Sequence, residues 1–210
     1  MRVRIPRMLP TLLVLAPSLL AQAPDPQPDS VRARQLIQTR LPQEKYQRHS
    51  TAVEAIMREL ATPGKDNIDH WALAGLLHDI DIAETANDLT RHGIVGAQIL
   101  RHANFPGPVV YAVEAHDDRA GVARTSRLDH AVYCADQVYW LISATGHTIP
   151  SGQLNAANPE ALWEQAQQVA SKKPILDQIT KECAAIERTM PQAIAAVQAA
   201  SRKLQTAASN

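Results

Sequence analysis

Leu76-Leu77-His78-Asp79-Ile80-Asp81 sets an imidazole beside a carboxylate at the polar end of an apolar run. Upstream of it, Trp71, Leu73, Ala74 and Leu77 make a helix from about Asp69 to His78 apolar nearly all round, which places that helix at the centre of the fold. Nitrogen and oxygen ligands held in an apolar wall are what a transition-metal site needs. A single His-Asp pair reads equally well as a helix end turned to water. The other histidines and aspartates decide between the two.

Working outward, Val53, Ile56, Met57 and Leu60 recur at helical spacing between Lys45 and Ala61, and Pro63-Gly64 stops that helix. His49 lies four residues before Val53 and shares its inward face. A polar loop from Glu84 to Arg91 precedes a helix opened by His92, and Val109 to His116 forms another that ends on its histidine. The longest apolar helix, Leu128 to Ala144, carries Asp136 among Val132, Val138, Trp140 and Leu141, where a carboxylate is costly to bury unless paired or coordinated. Ser30 caps a short helix through about Thr39. Beyond Asn158-Pro159-Glu160, helices are expected near Glu160–Ser171 and Pro174–Arg188, with a last one from Pro191 that frays.

Aromatic residues make up only 4% of the 210 residues and β-branched runs are scarce, so the chain is read as all-α, long enough for one domain with a buried core. Arg2, Arg4 and Arg7, the apolar run Met8–Leu20 and Ala21-Gln22-Ala23 have the form of an export signal, too short and too Pro-interrupted to be a membrane span. Its removal takes three arginines and no acid, leaving 18 basic against 21 acidic side chains. No basic face for a nucleic-acid polymer is expected. Cys134 and Cys183 are too few for a disulfide framework; they either pair or stay as buried thiols. The expected division is a signal peptide at 1–23, a linker and short helix at 24–44, the main domain at 45–190 and a C-terminal helix and tail at 191–210.

The candidate ligands are His49, His78, Asp79, His92, His116 and Asp136, each at a helix end or on an apolar helix face. Four of them suffice for one ion. All six, with Asp79 as bridge, suit two divalent ions drawn from iron, manganese, zinc, nickel and cobalt.

In order, Arg48-His49-Ser50 with Val53-Glu54, then Leu76–Asp81, His92-Gly93 with Gly96-Ala97, Ala112–His116 and Ala135-Asp136-Gln137 resemble the successive motifs of the HD superfamily of metal-dependent phosphohydrolases. The closest likeness is to its small HDIG-type predicted hydrolases. The resemblance implies an HD-domain helical bundle with additional C-terminal helices. It also implies the six residues above as metal ligands, Asp79 as the catalytic bridge that orients the nucleophile, and a small phosphorylated substrate. Arg48 and Arg119, with Arg91, lie beside ligands and are candidates to meet a phosphate; Asp117 is a candidate general acid. His70, His102, His130 and His147 match no motif and are read as surface or cap residues.

The chain departs from relatives in having Asp117-Asp118 after the fourth-motif histidine and Ile82-Ala83-Glu84 after the signature, and both bear on substrate choice. Two other readings keep the fold: a mixed-valence di-iron oxygenase with the same ligand order, and a non-enzymatic sensor module. Oligomeric state is left open.

Overall fold

A computed structural model describes residues 29–170 and 173–209. The expected export signal lies outside them. Every regular element among the described residues is helical, as the composition predicts. α1 (Asp29–Arg40) ends at Leu41-Pro42 and α2 (Glu44–Leu60) follows at once. α3 (Ile68–Leu77) is capped by Asn67, whose side chain accepts the His70 amide at 3.0 Å. One-turn α4 (Ile82–Thr85) and a 3-10 turn (Leu89–Arg91) lead to α5 (Ile94–His102), α6 (Gly107–Ala115) and a second 3-10 turn (Asp118–Ala120). α7 (Arg127–Ala144) begins with a capping box between Ser126 and Asp129. α8 (Gly152–Ala156), α9 (Pro159–Val169), α10 (Lys173–Ala185) and α11 (Met190–Ala208) complete the chain.

α3 is the hub, and seven consecutive residues from Trp71 to Leu77 are buried. Its contact with α2 is close because Gly75 has no side chain: a Cβ there would meet Met57 Cγ at 2.7 Å and the Val53 carbonyl at 2.9 Å. His49 is one turn before Val53 and His78 is three residues after Gly75, so this close approach sets the two imidazoles against each other.

The C-terminal helices are part of the same core. Ile194, Val197 and Ala200 of α11 are buried with the apolar stripes of α2 and α7. Rather than fraying beyond the domain, α11 runs to Ala208. Arg188, just before α11, donates to the Leu60 carbonyl at 2.9 Å and the Thr62 hydroxyl at 3.0 Å, closing the C-terminal end of α2 with a cation. Cys134 of α7 and Cys183 of α10 form a disulfide, which decides between the two states their sequence allowed. No described helix is long and apolar enough to cross a membrane.

Candidate metal centre

The six expected ligands come from five places in the chain: α2 (His49), the end of α3 (His78, Asp79), the entry to α5 (His92), the end of α6 (His116) and the middle of α7 (Asp136). The structure brings all six together. His49 Nε2 lies 3.1 Å from His78 Nε2 and 3.0 Å from Asp136 Oδ1. His116 Nε2 lies 3.1 Å from His92 Nε2. Asp79 stands between the groups: Oδ2 is 3.4 Å from both His49 Nε2 and His78 Nε2, while Oδ1 is 3.0 Å from His92 Nε2 and 3.6 Å from His116 Nε2. Each carboxylate oxygen thus serves one cluster.

The far side of the rings fixes which nitrogen faces inward. His78 Nδ1 donates to the Gly75 carbonyl at 2.9 Å and His116 Nδ1 to the Val113 carbonyl at 2.6 Å. His92 Nδ1 lies 2.9 Å from Asp81 Oδ1 and 3.3 Å from the Thr85 hydroxyl, whose own hydrogen goes to the Asp81 carbonyl at 2.9 Å. Every neighbour of these three Nδ1 atoms is an acceptor, so in the neutral rings Nε2 turns a lone pair to the centre.

Asp81 is the functional residue that the reading by motifs left without a role. It is fully buried, and its Oδ2 accepts the Gly93 and Gly96 amides at 3.0 and 2.9 Å. Those bonds displace the start of α5: the helix begins at Ile94, not at His92, because Gly93 adopts φ +78° and turns the chain there. His92 is therefore an extended residue held from below by Asp81. A second carboxylate two positions after Asp79 in an apolar run was the available signal.

The donor set fits metal ions. His92 and His116 point lone pairs at each other across 3.1 Å, an arrangement that needs a cation or a proton between them. Asp136 Oδ1 is buried and faces only the imidazole nitrogens of His49 and His78, 3.0 and 3.6 Å away, while Gln137 donates to its other oxygen at 2.9 Å. Ligand bonds of about 2.1 Å space neighbouring donors about 3.0–3.4 Å apart in octahedral or tetrahedral shells, close to the separations found here.

Without metal, the charges hold one another. Burial pulls the His78 pKa down, but the Asp79 charge and Asp136 outweigh it and carry it up to about 9. For His92, burial is outweighed by Asp79 and Asp81, and the pKa rises to about 10. Burial works to raise the pKa of Asp79 and Asp136, yet the surrounding imidazoles hold both well below the usual carboxylate range.

The cluster lies in a cavity of about 790 Å³ whose wall includes Lys45, Tyr46, Arg48, Arg119, Trp140 and His147. Of the candidate phosphate ligands, Arg48 lines it and pairs with Glu44 at 2.6 Å, and Arg119 lines it with its guanidinium engaged by Asp117. Arg91 is not among the lining residues. Asp117 is unsuited to be a general acid: against the upward push of burial, Arg119 holds its pKa below the ordinary value, so it stays a carboxylate. His147, expected at the surface, lines the cavity instead.

Residues 46–141 match the family model described as HD domain. Over 79 residues the chain is 33% identical to Ribonuclease Y of Lawsonia intracellularis, a stretch that is 38% of this chain and 15% of that relative. The chain thus matches a small part of the relative's length. No solved structure matches the chain.

Proposed function

We propose that this chain, whose residues 46–141 match the HD-domain family model, is a phosphohydrolase that works on small phosphate esters with two divalent metal ions. The observation that carries the reading is Asp79, whose two oxygens face two separate histidine groups. His49, His78, Asp79 Oδ2 and Asp136 would hold one ion; Asp79 Oδ1, His92 and His116 would hold the other. When bound, such ions supply Lewis acidity that makes water a nucleophile near neutral pH and offsets charge on the phosphoryl oxygens.

The protein's own part is placement. Lys45 and Arg48 put positive charge at the cavity rim, where they attract a phosphate dianion. Arg119 lies on the same wall, and the Asp117 carboxylate limits the directions its guanidinium can take. Asp79, reaching both groups, would help to orient the attacking water. Trp140 and Tyr46 supply an apolar wall against the part of the substrate beyond the phosphate.

The test is metal analysis of purified protein paired with a screen of phosphate monoesters, nucleotides and a short RNA, the last because the matched relative is named a ribonuclease. Metal-dependent phosphate release that disappears in His78→Ala and Asp79→Ala is the expected result. A metal-free variant with full activity would refute it, and oxygen consumption by the iron-loaded protein without phosphate release would favour the oxygenase reading. From the export-signal pattern of residues 1–23 we further propose that the mature protein lies outside the cytosol. The Cys134–Cys183 disulfide supports this, and the mass of the protein purified from its native cells should show a cleaved N-terminus.

A further inference from the structure

Hydrolysis of an ester with a poor leaving group is helped by a proton donor, and the centre's own ligands are committed to metal. Of the phenols on the cavity wall, Tyr139 has its pKa pushed up by burial, and a phenol is in any case a weaker acid than an imidazolium. Among the cavity-lining residues, His49, Asp79, His92, His116 and Asp136 belong to the metal cluster, and Asp117 is engaged by Arg119. The Lys45 ammonium sits 4.6 Å from the centre of the Tyr46 ring at the exposed rim. His147 is committed to none of these.

It sits in the connection between α7 and α8, past the last residue of the HD-domain match. The Thr145 hydroxyl donates to the Ile142 carbonyl at 2.7 Å, so it can only offer a lone pair to His147 Nδ1, 2.9 Å away. Nδ1 therefore keeps its hydrogen, and Nε2 is the nitrogen left to exchange a proton. The connection is anchored beyond His147, where the Ser151 amide donates to Ser201 of α11 at 3.1 Å and Leu154 is fully buried.

We propose that His147 is the general acid of the reaction, donating the Nε2 proton to the leaving oxygen of the ester. The assignment rests on the phosphohydrolase reading. In the step, a bond forms from the water oxygen to phosphorus as the bond from phosphorus to the leaving oxygen breaks. The electron pair of the broken bond stays on that oxygen, which takes the Nε2 proton and departs as an alcohol. The proton lost by water returns to Nε2 through solvent, so water and ester give alcohol and phosphate with no other reactant.

The experiment compares wild type with His147→Gln and His147→Ala, full-length and metal-loaded, on p-nitrophenyl phosphate and on glycerol phosphate, with metal content and melting temperature measured beside activity. Nitrophenolate leaves unaided; glycerol does not. Metal content should be unchanged, kcat on glycerol phosphate should fall about 100-fold, and the loss on the nitrophenyl ester should stay under about 3-fold. Equal losses on both esters, no loss on either, or a wild type that cleaves only the nitrophenyl ester would overturn the assignment while leaving the hydrolase reading intact. A wild type that cleaves no phosphate ester removes the hydrolase reading, and the assignment with it.

Discussion

Replacing Asp81 by Asn tests whether the support beneath His92 governs the metal centre. The exchange nearly preserves shape, and one amide oxygen can go on accepting the Gly93 and Gly96 amides that Asp81 Oδ2 accepts at 3.0 and 2.9 Å. The other position becomes an NH2 group facing His92 Nδ1, where Asp81 Oδ1 now lies 2.9 Å away. Two donors then oppose each other, and the ring relieves this by moving its hydrogen to Nε2, the ligating nitrogen. Loss of such a supporting partner costs about 10- to 100-fold in metal affinity, or about 1.4–2.7 kcal/mol. Titration of metal-free protein by calorimetry, with Asp81→Asn measured alone and in a His92→Ala background, reads the effect. The affinity loss should appear with His92 present and vanish without it. A loss of equal size in both backgrounds, or none in either, would refute the reasoning.

Gly75→Ala should destabilise the metal-free protein by about 1–3 kcal/mol in urea unfolding, since its Cβ would press on Met57 Cγ and the Val53 carbonyl. His78 and His92 have pKa values raised to about 9 and about 10 without metal. Their contribution to metal-free stability is therefore full below about 6.5 and lost as pH rises through 9 to 10, which melting curves across that window will show. Metal must displace those protons, so loading at pH 7 should release acid and affinity should climb with pH, as unbuffered titration can record. Cys134→Ser with Cys183→Ser opens a loop spanning 49 residues and should lower stability by up to about 4 kcal/mol, seen as a lower melting temperature than the oxidised wild type.

Most of the candidate ligands were legible because they interrupt an apolar helix stripe or end one, a local signal that needs no tertiary knowledge, whereas His92 is an extended residue before α5. His49, four before Val53, and Asp136, within the stripe of α7, are the clearest cases. What sequence could not give was pairing across space. Asp81 is tied to Gly93 and Gly96, 12 and 15 residues away, and nothing in the periodicity announces that a carboxylate will replace the cap of α5. Asp117 offered itself as an acid until Arg119, two residues on, proved to hold it. One-turn α8, started by the Ser151 cap, is too short for periodicity to reveal. His147 belongs to no motif, and its place in the cavity follows from how the chain returns after α7.

The disulfide gives that return path a property of its own. Cys134 and Cys183 hold their Cα atoms 5.1 Å apart at the two ends of an excursion that includes His147, α8 and α9. Five of the six candidate ligands precede that closed loop, and Asp136 follows its first cysteine by two residues. Insertions or exchanges inside the loop need not travel to the metal ligands, because its two ends stay clasped. The cluster and the part of the wall within this loop are in this sense separable, and altered substrate preference should be sought by varying Trp140, Gly146, Thr148 and Ile149 while His147 and residues 49–136 are left untouched.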